Sequence, residues 1–207
     1  MIRKNLINCK LFLEKRPIKY IYADCLSHLH VPGEVCPYCS GRDSLHVHGY
    51  YKRTLIDFVN NKPVKTVLFI CRFICNACMH PSTHAILPDP IIPYCRHSLR
   101  FILRVLIEHF FHLRPVEKIC EAYEISVRTF YRWQKLFEEN RKEWQHLLNA
   151  SVKDLKASLL TLIQRKPYST FSSDFIHKTG FSLLQSHKNP PFLAVNDPFQ
   201  PNPHMTT

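Results

Sequence analysis

Nine cysteines stand in the chain, and four of them form two C-x-x-C pairs, Cys36-Pro-Tyr-Cys39 and Cys75-Asn-Ala-Cys78, with residues 40–74 between them. Each pair sets two sulfurs on one tight turn, and two such turns together supply the tetrahedral thiolate shell that zinc prefers. The spacing predicts one zinc ion on Cys36, Cys39, Cys75 and Cys78. Four thiolates close the coordination sphere, so the ion is expected to be structural, with no open position for catalysis. A small strand-rich module has too little core to fold reliably alone, and a structural zinc contributes on the order of 10 kcal/mol.

Other donor sets are open at this point. Imidazole is an equally good zinc ligand, so His46, His48, His80 or His84 can stand in for one cysteine. Taken by themselves, Cys71, Cys75 and Cys78 read C-x3-C-x2-C, which resembles the iron–sulfur triad of radical S-adenosylmethionine enzymes. That reading leaves Cys36 and Cys39 idle, finds no aromatic before Cys78 and has no barrel to surround a cluster. Cys9, Cys25, Cys95 and Cys120 have no partner spacing and read as buried or incidental thiols.

A second group of residues has the chemistry to hold a polyanion. Arg128, Thr129, Tyr131, Arg132, Gln134 and Lys135 are types that reach base edges or phosphates from the major groove. They fall on a predicted helix beginning at the N-cap Ser126 and running from Val127 past Trp144. A shorter helix, Val116 to Tyr123, precedes it after Pro115. Val116, Ile119, Tyr123, Ile125, Phe130 and Trp133 have the spacing of two helices crossing near a short turn, with Cys120 small at the crossing. That turn carries Glu124 where Gly is usual, so a non-Gly residue must take a positive φ or the turn must differ. A plain helical bundle with a polar face is the alternative. Lys52 and Arg53 are further phosphate-contact candidates, or a solvated hairpin edge.

The elements that position these groups divide the chain. Residues 1–33 read as an N-terminal extension and 34–84 as a zinc ribbon. Within the ribbon, strands are predicted at Leu45 to Tyr51, Thr54 to Val59 and Val64 to Ile74, with a turn at Asn60-Asn61-Lys62-Pro63. Val67, Phe69, Cys71 and Phe73 share one face of the third strand, with Thr66, Leu68, Ile70 and Arg72 on the other. Residues 85–97 read as a Pro-rich linker and 98–148 as the helix-turn-helix. Its first helix is capped by Ser98 and buries Leu99, Ile102, Leu103, Leu106, Ile107, Phe110 and Phe111. An additional helix is expected over 149–166, and 167–207, rich in proline, reads as a mostly disordered tail. The fold class is α+β, a small antiparallel ribbon sheet followed by a helical domain.

Lys and Arg number 28 against 16 Asp and Glu, a formal charge of +12. That balance favours a polyanionic partner, DNA first, with an RNA or protein partner as the alternative, although a basic surface also confers solubility. The basic N-terminal residues never form an uninterrupted apolar core, and Leu99 to Leu113 is interrupted by Arg100, Arg104 and Glu108. Neither a signal peptide nor a membrane span is therefore expected. A cytoplasmic, nucleoid-associated location follows, in which thiols stay reduced.

The motifs in order, C-P-Y-C (Cys36 to Cys39), H-G-Y-Y-K-R (His48 to Arg53), C-R-F-I-C-N-A-C (Cys71 to Cys78), L-P-D-P-I-I-P-Y (Leu87 to Tyr94) and I-S-V-R-T-F-Y-R-W (Ile125 to Trp133), resemble the N-terminal region of bacterial insertion-sequence transposases and a related uncharacterised transposase-like zinc-ribbon family. The resemblance spans about residues 34–145. It implies recognition of element ends by the ribbon and helix-turn-helix, with a separate RNase-H-like domain cutting DNA through three carboxylates. Beyond the helices the acids are Asp154, Asp174 and Asp197. Two-metal chemistry needs carboxylates on a rigid scaffold, so no catalytic residue is assigned and a DNA-binding role without its own catalytic domain is expected.

Overall fold

The computed structural model describes residues 2–4, 16–27, 34–36, 38–60, 62–78, 83–88, 90–140 and 182–185. In chain order the elements are β1 (Ile2–Lys4), α1 (Ile18–Ser27), β2 (Leu45–Val59), β3 (Lys62–Cys75), β4 (His84–Pro88), α2 (Leu99–Phe110), α3 (Val116–Tyr123) and α4 (Val127–Glu139). The sheet order is β1-β4-β3-β2. β2, β3 and β4 are antiparallel, and β1 lies parallel to β4. The class is α+β, with the sheet first and the helical group after it.

β2 and β3 form one long hairpin, closing at Val59↔Lys62 with Asn60 at φ 49°. The sequence predicts a break at Lys52-Arg53 and a turn through Pro63. β2 instead runs through Lys52-Arg53, and the turn is shorter than expected, because Lys62 and Pro63 already belong to β3. The reason is that polar residues do not interrupt a strand with one wet face: Lys52 is exposed, and Arg53 donates to the carbonyls of Ile92 (2.5 Å) and Cys95 (2.7 Å). A bulge between Val47 and Gly49, with Gly49 at φ 150°, resets the register near the cysteine end. β3 changes its buried side along its length. Leu68 and Ile70 are buried in its middle and Cys71, Phe73 and Cys75 at its end, while Val67 and Phe69 stay exposed. The face expected to carry Val67, Phe69, Cys71 and Phe73 together is thus half solvent and half core.

Three packed clusters follow from this. One gathers Leu55, Leu68, Ile70, Leu87 and Ile91 beneath Ile18 and Tyr22 of α1. Another surrounds the cysteine end, with Cys25, Cys36, Leu45, Cys71, Phe73, Cys75 and Ile86. The third and largest holds α2, α3 and α4 together, with Ile21, Ile56 and Phe58 joining it from α1 and β2. The region 1–33, read as an extension, therefore contains a docked helix whose Tyr22 hydroxyl accepts the Cys71 N–H at 2.8 Å. The region 85–97, read as a linker, contains most of β4 and the fully buried Ile91 and Ile92, and Ile56 exchanges backbone hydrogen bonds with Arg96 and Ser98.

One buried ion pair joins these parts. Asp57 on β2 is fully buried and paired with Arg100 of α2. Asp57 also accepts from the Ser98 hydroxyl (2.7 Å) and from the Ile18 N–H at the start of α1 (3.3 Å), and Arg100 donates to the Arg16 carbonyl at 2.9 Å. A buried charge persists only when paired and hydrogen-bonded, and here every bond crosses between elements distant in sequence.

Ser98 and Ser126 cap α2 and α4 as predicted, accepting from Phe101 N–H and Thr129 N–H. α2 is buried on more sides than one amphipathic stripe allows, since Phe101 and Val105 are covered as well as Leu99, Ile102, Leu103 and Leu106. It lies between β2 and the other two helices. α4 is described to Glu139, where Asn140 stands at its C-cap and donates to the Leu183 carbonyl at 2.7 Å; the expected continuation past Trp144 lies outside the described residues. Leu183 and Leu184 are buried against the helices, so this short piece of the expected disordered tail is packed. The expected helix over 149–166 lies outside the described residues, as do Asp154, Asp174 and Asp197.

Candidate metal centre and helical surface

The first cysteine pair sits on a tight hairpin closed by the Val35↔Arg42 bridge. Cys36 N–H donates to the Gly41 carbonyl at 3.0 Å and Ser40 N–H to the Cys36 carbonyl at 2.9 Å, which folds the turn back on itself. The second pair begins at the last residue of β3, and Asn76 N–H donates to the Ser44 carbonyl at 2.9 Å, tying the two turns together. The long hairpin thus brings residues far apart in sequence to one point.

The four Sγ atoms lie within 4.8 Å of one another. Cys36 and Cys78 approach to 3.8 Å, and Cys39 and Cys75 to 3.6 Å. A regular tetrahedron with metal–sulfur bonds of about 2.3 Å has edges of about 3.8 Å, whereas a disulfide needs about 2.05 Å. The spacing fits a four-thiolate metal site and not two disulfides. Among the described residues this is the cluster able to hold a metal ion, and no histidine belongs to it. His46 and His48 are exposed on β2, His84 is buried on β4 against Tyr38, and His80 is outside the described residues. Cys71, the first member of the C-x3-C-x2-C reading, lies outside the cluster, on β3.

Polar groups around the sulfurs favour negative charge there. Burial raises the Cys75 thiol, but its hydrogen bonds with the Ser44 hydroxyl and with the Cys78 and Ala77 amides outweigh it and lower it to about 6. At Cys39 the Gly41 amide pulls down, yet desolvation and the sulfurs of Cys75, Cys36 and Cys78 push the thiol up to about 12. Four sulfurs this close cannot all ionise without a cation between them. Sequence reasoning missed two supports. Ser44 is one; the other is Gly41, where an added Cβ would meet Ser44 Oγ at 3.1 Å and Cys39 Sγ at 3.2 Å. With only four glycines in the chain, one placed two residues after a C-x-x-C pair was the available signal.

In the helical group, α3 closes on Glu124 in the left-handed region (φ 52°, ψ 43°). Ile125 N–H donates to the Cys120 carbonyl and Glu124 N–H to the Glu121 carbonyl, the two bonds of a Schellman motif. The turn therefore keeps the shape a glycine would give it, with Ile125 tucked inward. Phe130, Trp133 and Phe137 face the core, with Ile119, Cys120, Tyr123 and Ile125 opposite. Arg128, Tyr131, Arg132 and Lys135 are exposed.

The remaining candidates divide. Thr129 is half-buried, its hydroxyl 2.8 Å from that of Ser126, so it serves the cap. Lys135 is 3.7 Å from Glu139. Lys52 is exposed on β2, far along the chain from α4, whereas Arg53 is half-buried and spends its guanidinium on two carbonyls of the segment after β4. No helix among the described residues is long and apolar enough to cross a membrane.

No curated protein and no solved structure matches the chain. Residues 36–133 match a family model described as a domain of unknown function, DUF6431, a stretch that begins at the first cysteine of the cluster and ends at Trp133 in the middle of α4.

Proposed function

We propose that this chain is a zinc-dependent DNA-binding protein in which the four-cysteine site stabilises the ribbon and α4 reads the major groove. The observation that carries the reading is the exposed face of α4. Arg128, Tyr131, Arg132 and Lys135 stand at i, i+3, i+4 and i+7, on one side of a helix whose other side is anchored by Phe130, Trp133 and Phe137. Arg128 and Arg132 make no ion pair among the described residues, so their charge is available to phosphates or to guanine edges. The formal charge of +12 supports a polyanion as partner.

Zinc is the metal this reading assigns, because a closed tetrahedral thiolate set with no coordination gap suits a structural ion. The resemblance to transposase N-terminal regions supports a transposon-related role on the nucleoid, as an end-binding or regulatory protein.

The test is duplex-DNA binding by the metal-loaded protein across a salt series, beside a chelated sample and Arg132→Ala. Binding is expected to weaken steeply with salt and to be lost on chelation. Arg132→Ala should weaken it further and, where Arg132 reads a base, relax preference at one position by about 1–3 kcal/mol. Absence of binding at low salt, from protein retaining its full metal content, would overturn the reading.

A further inference from the structure

The β2–β3 hairpin leaves part of one face uncovered. Residues directly opposite in the register share a side, so Tyr50 with Cys71, Lys52 with Phe69, Thr54 with Val67, and Ile56 with Lys65 make successive rows of one face. Ile56 packs into the helical core and Cys71 is buried, but between them the surface is open. Tyr50 is 58%, Phe69 63% and Val67 44% exposed, and Lys52 and Lys65 are exposed beside them.

Two features make this face a built surface rather than scattered apolar residues. First, β3 reverses its buried side at Ile70 and Cys71, so Phe69 and Val67 point to solvent from a strand whose neighbouring positions are core. Second, the hairpin carries Lys52, Arg53, Lys62, Lys65 and Arg72, while its sole acidic residue, Asp57, is buried and neutralised by Arg100. The exposed charge on this face is therefore entirely positive.

We propose that this face is a stacking platform for unpaired nucleobases, with Phe69 and Tyr50 offering ring faces and Lys52 and Lys65 holding the phosphates between. Residues in adjacent rows of a sheet lie about 7–8 Å apart on the diagonal, within reach of aromatic side chains, a separation a single strand spans between neighbouring splayed bases. Sheet aromatics flanked by cations bind single strands in this way with little sequence preference. The positive charge and the absence of an exposed carboxylate select a nucleic-acid strand over an acid-free apolar peptide or a second copy of this basic chain. This surface is separate from the exposed face of α4, and the proposal goes beyond duplex reading to a segment opened or already single-stranded.

The experiment uses the full chain with its metal, a labelled short oligothymidylate, and a duplex of the same length. Phe69→Ala should weaken single-strand binding by about tenfold, the usual effect of removing one stacking ring, while duplex affinity, metal content and melting temperature stay unchanged. Phe69→Trp should restore binding, with its emission quenched as oligonucleotide is added. Three results would overturn the proposal: no single-strand binding by the wild type at low salt, equal affinity in Phe69→Ala, or self-association that Phe69→Ala abolishes while oligonucleotide binding persists. Arg132→Ala is measured alongside. An unchanged duplex affinity there removes the α4 reading without touching this one.

Discussion

The cysteine end of the sheet and the helical end of the molecule hold themselves together by different means. Around α2, α3 and α4 the described residues include seventeen buried apolar side chains, among them Phe101, Phe130, Trp133 and Phe137. Around the cluster there are seven, and Cys25, Cys36, Cys71 and Cys75 are four of them. Burying a large apolar side chain contributes about 1.5–3 kcal/mol, so the helical end is supported by many such terms. The cysteine end has Leu45, Phe73 and Ile86 as its large apolar residues, and on the proposed reading it draws on metal–sulfur bonds instead. Its stability is accordingly concentrated at one point, and the helical end's is spread over many.

Removing the metal tests this contrast most severely. Chelation, or Cys36→Ser, should cost the cysteine end on the order of 10 kcal/mol. Hydrogen exchange is expected to accelerate in residues 34–48 and 71–78 while α2, α3 and α4 keep their protection. Collapse of the helices in step with the ribbon would show that the two ends form one cooperative unit and would end the comparison in its present form.

The seam between the ends gives the next largest effect. Asp57→Ala leaves Arg100 buried without its counter-charge and removes an acceptor from Ser98 and Ile18. Loss of one partner of a buried pair costs about 3–5 kcal/mol. Denaturant unfolding should record that loss, together with separation of the ribbon and helical transitions. Asp57→Ala with Arg100→Leu should recover a good part of it, since no charge is then stranded. An unaltered midpoint in the single variant would mean that the ends are fastened elsewhere.

The same contrast decides what could be read from residue order. The cysteine cluster, the serine caps and the α3–α4 crossing were legible because each carries a local pattern: a pair with two residues between, one cap, or a three-four step. Asp57 with Arg100 was not, because the partners are 43 positions apart and neither carries a local signature. α1 was missed because Ile18, Ile21, Tyr22 and Cys25 are a short helical stripe following the basic Lys15 and Arg16, visible as core only once β3 and β4 lie beneath them. The prolines around β4 read as linker, yet Pro88, Pro90 and Pro93 are buried, serving the end of β4 and a run of buried turns locked by Arg53. Arg53 itself looked like a phosphate contact because charge is visible in sequence and hydrogen-bond partners are not.

The smallest effect lies within the helical end, where stability is distributed and a single change should matter little. Glu124 takes φ 52° at the close of α3, a conformation that costs an L-residue with a Cβ about 1 kcal/mol and glycine almost nothing. Its side chain is exposed, and both Schellman bonds use backbone groups alone. Glu124→Gly should therefore keep the turn and raise helical-end stability by up to about 1 kcal/mol, leaving the metal-dependent transition where it was. A fall in stability instead would mean that the Glu124 side chain, and not only the backbone, holds the α3–α4 angle, and α4 would then depend on one exposed residue much as the ribbon is proposed to depend on one ion.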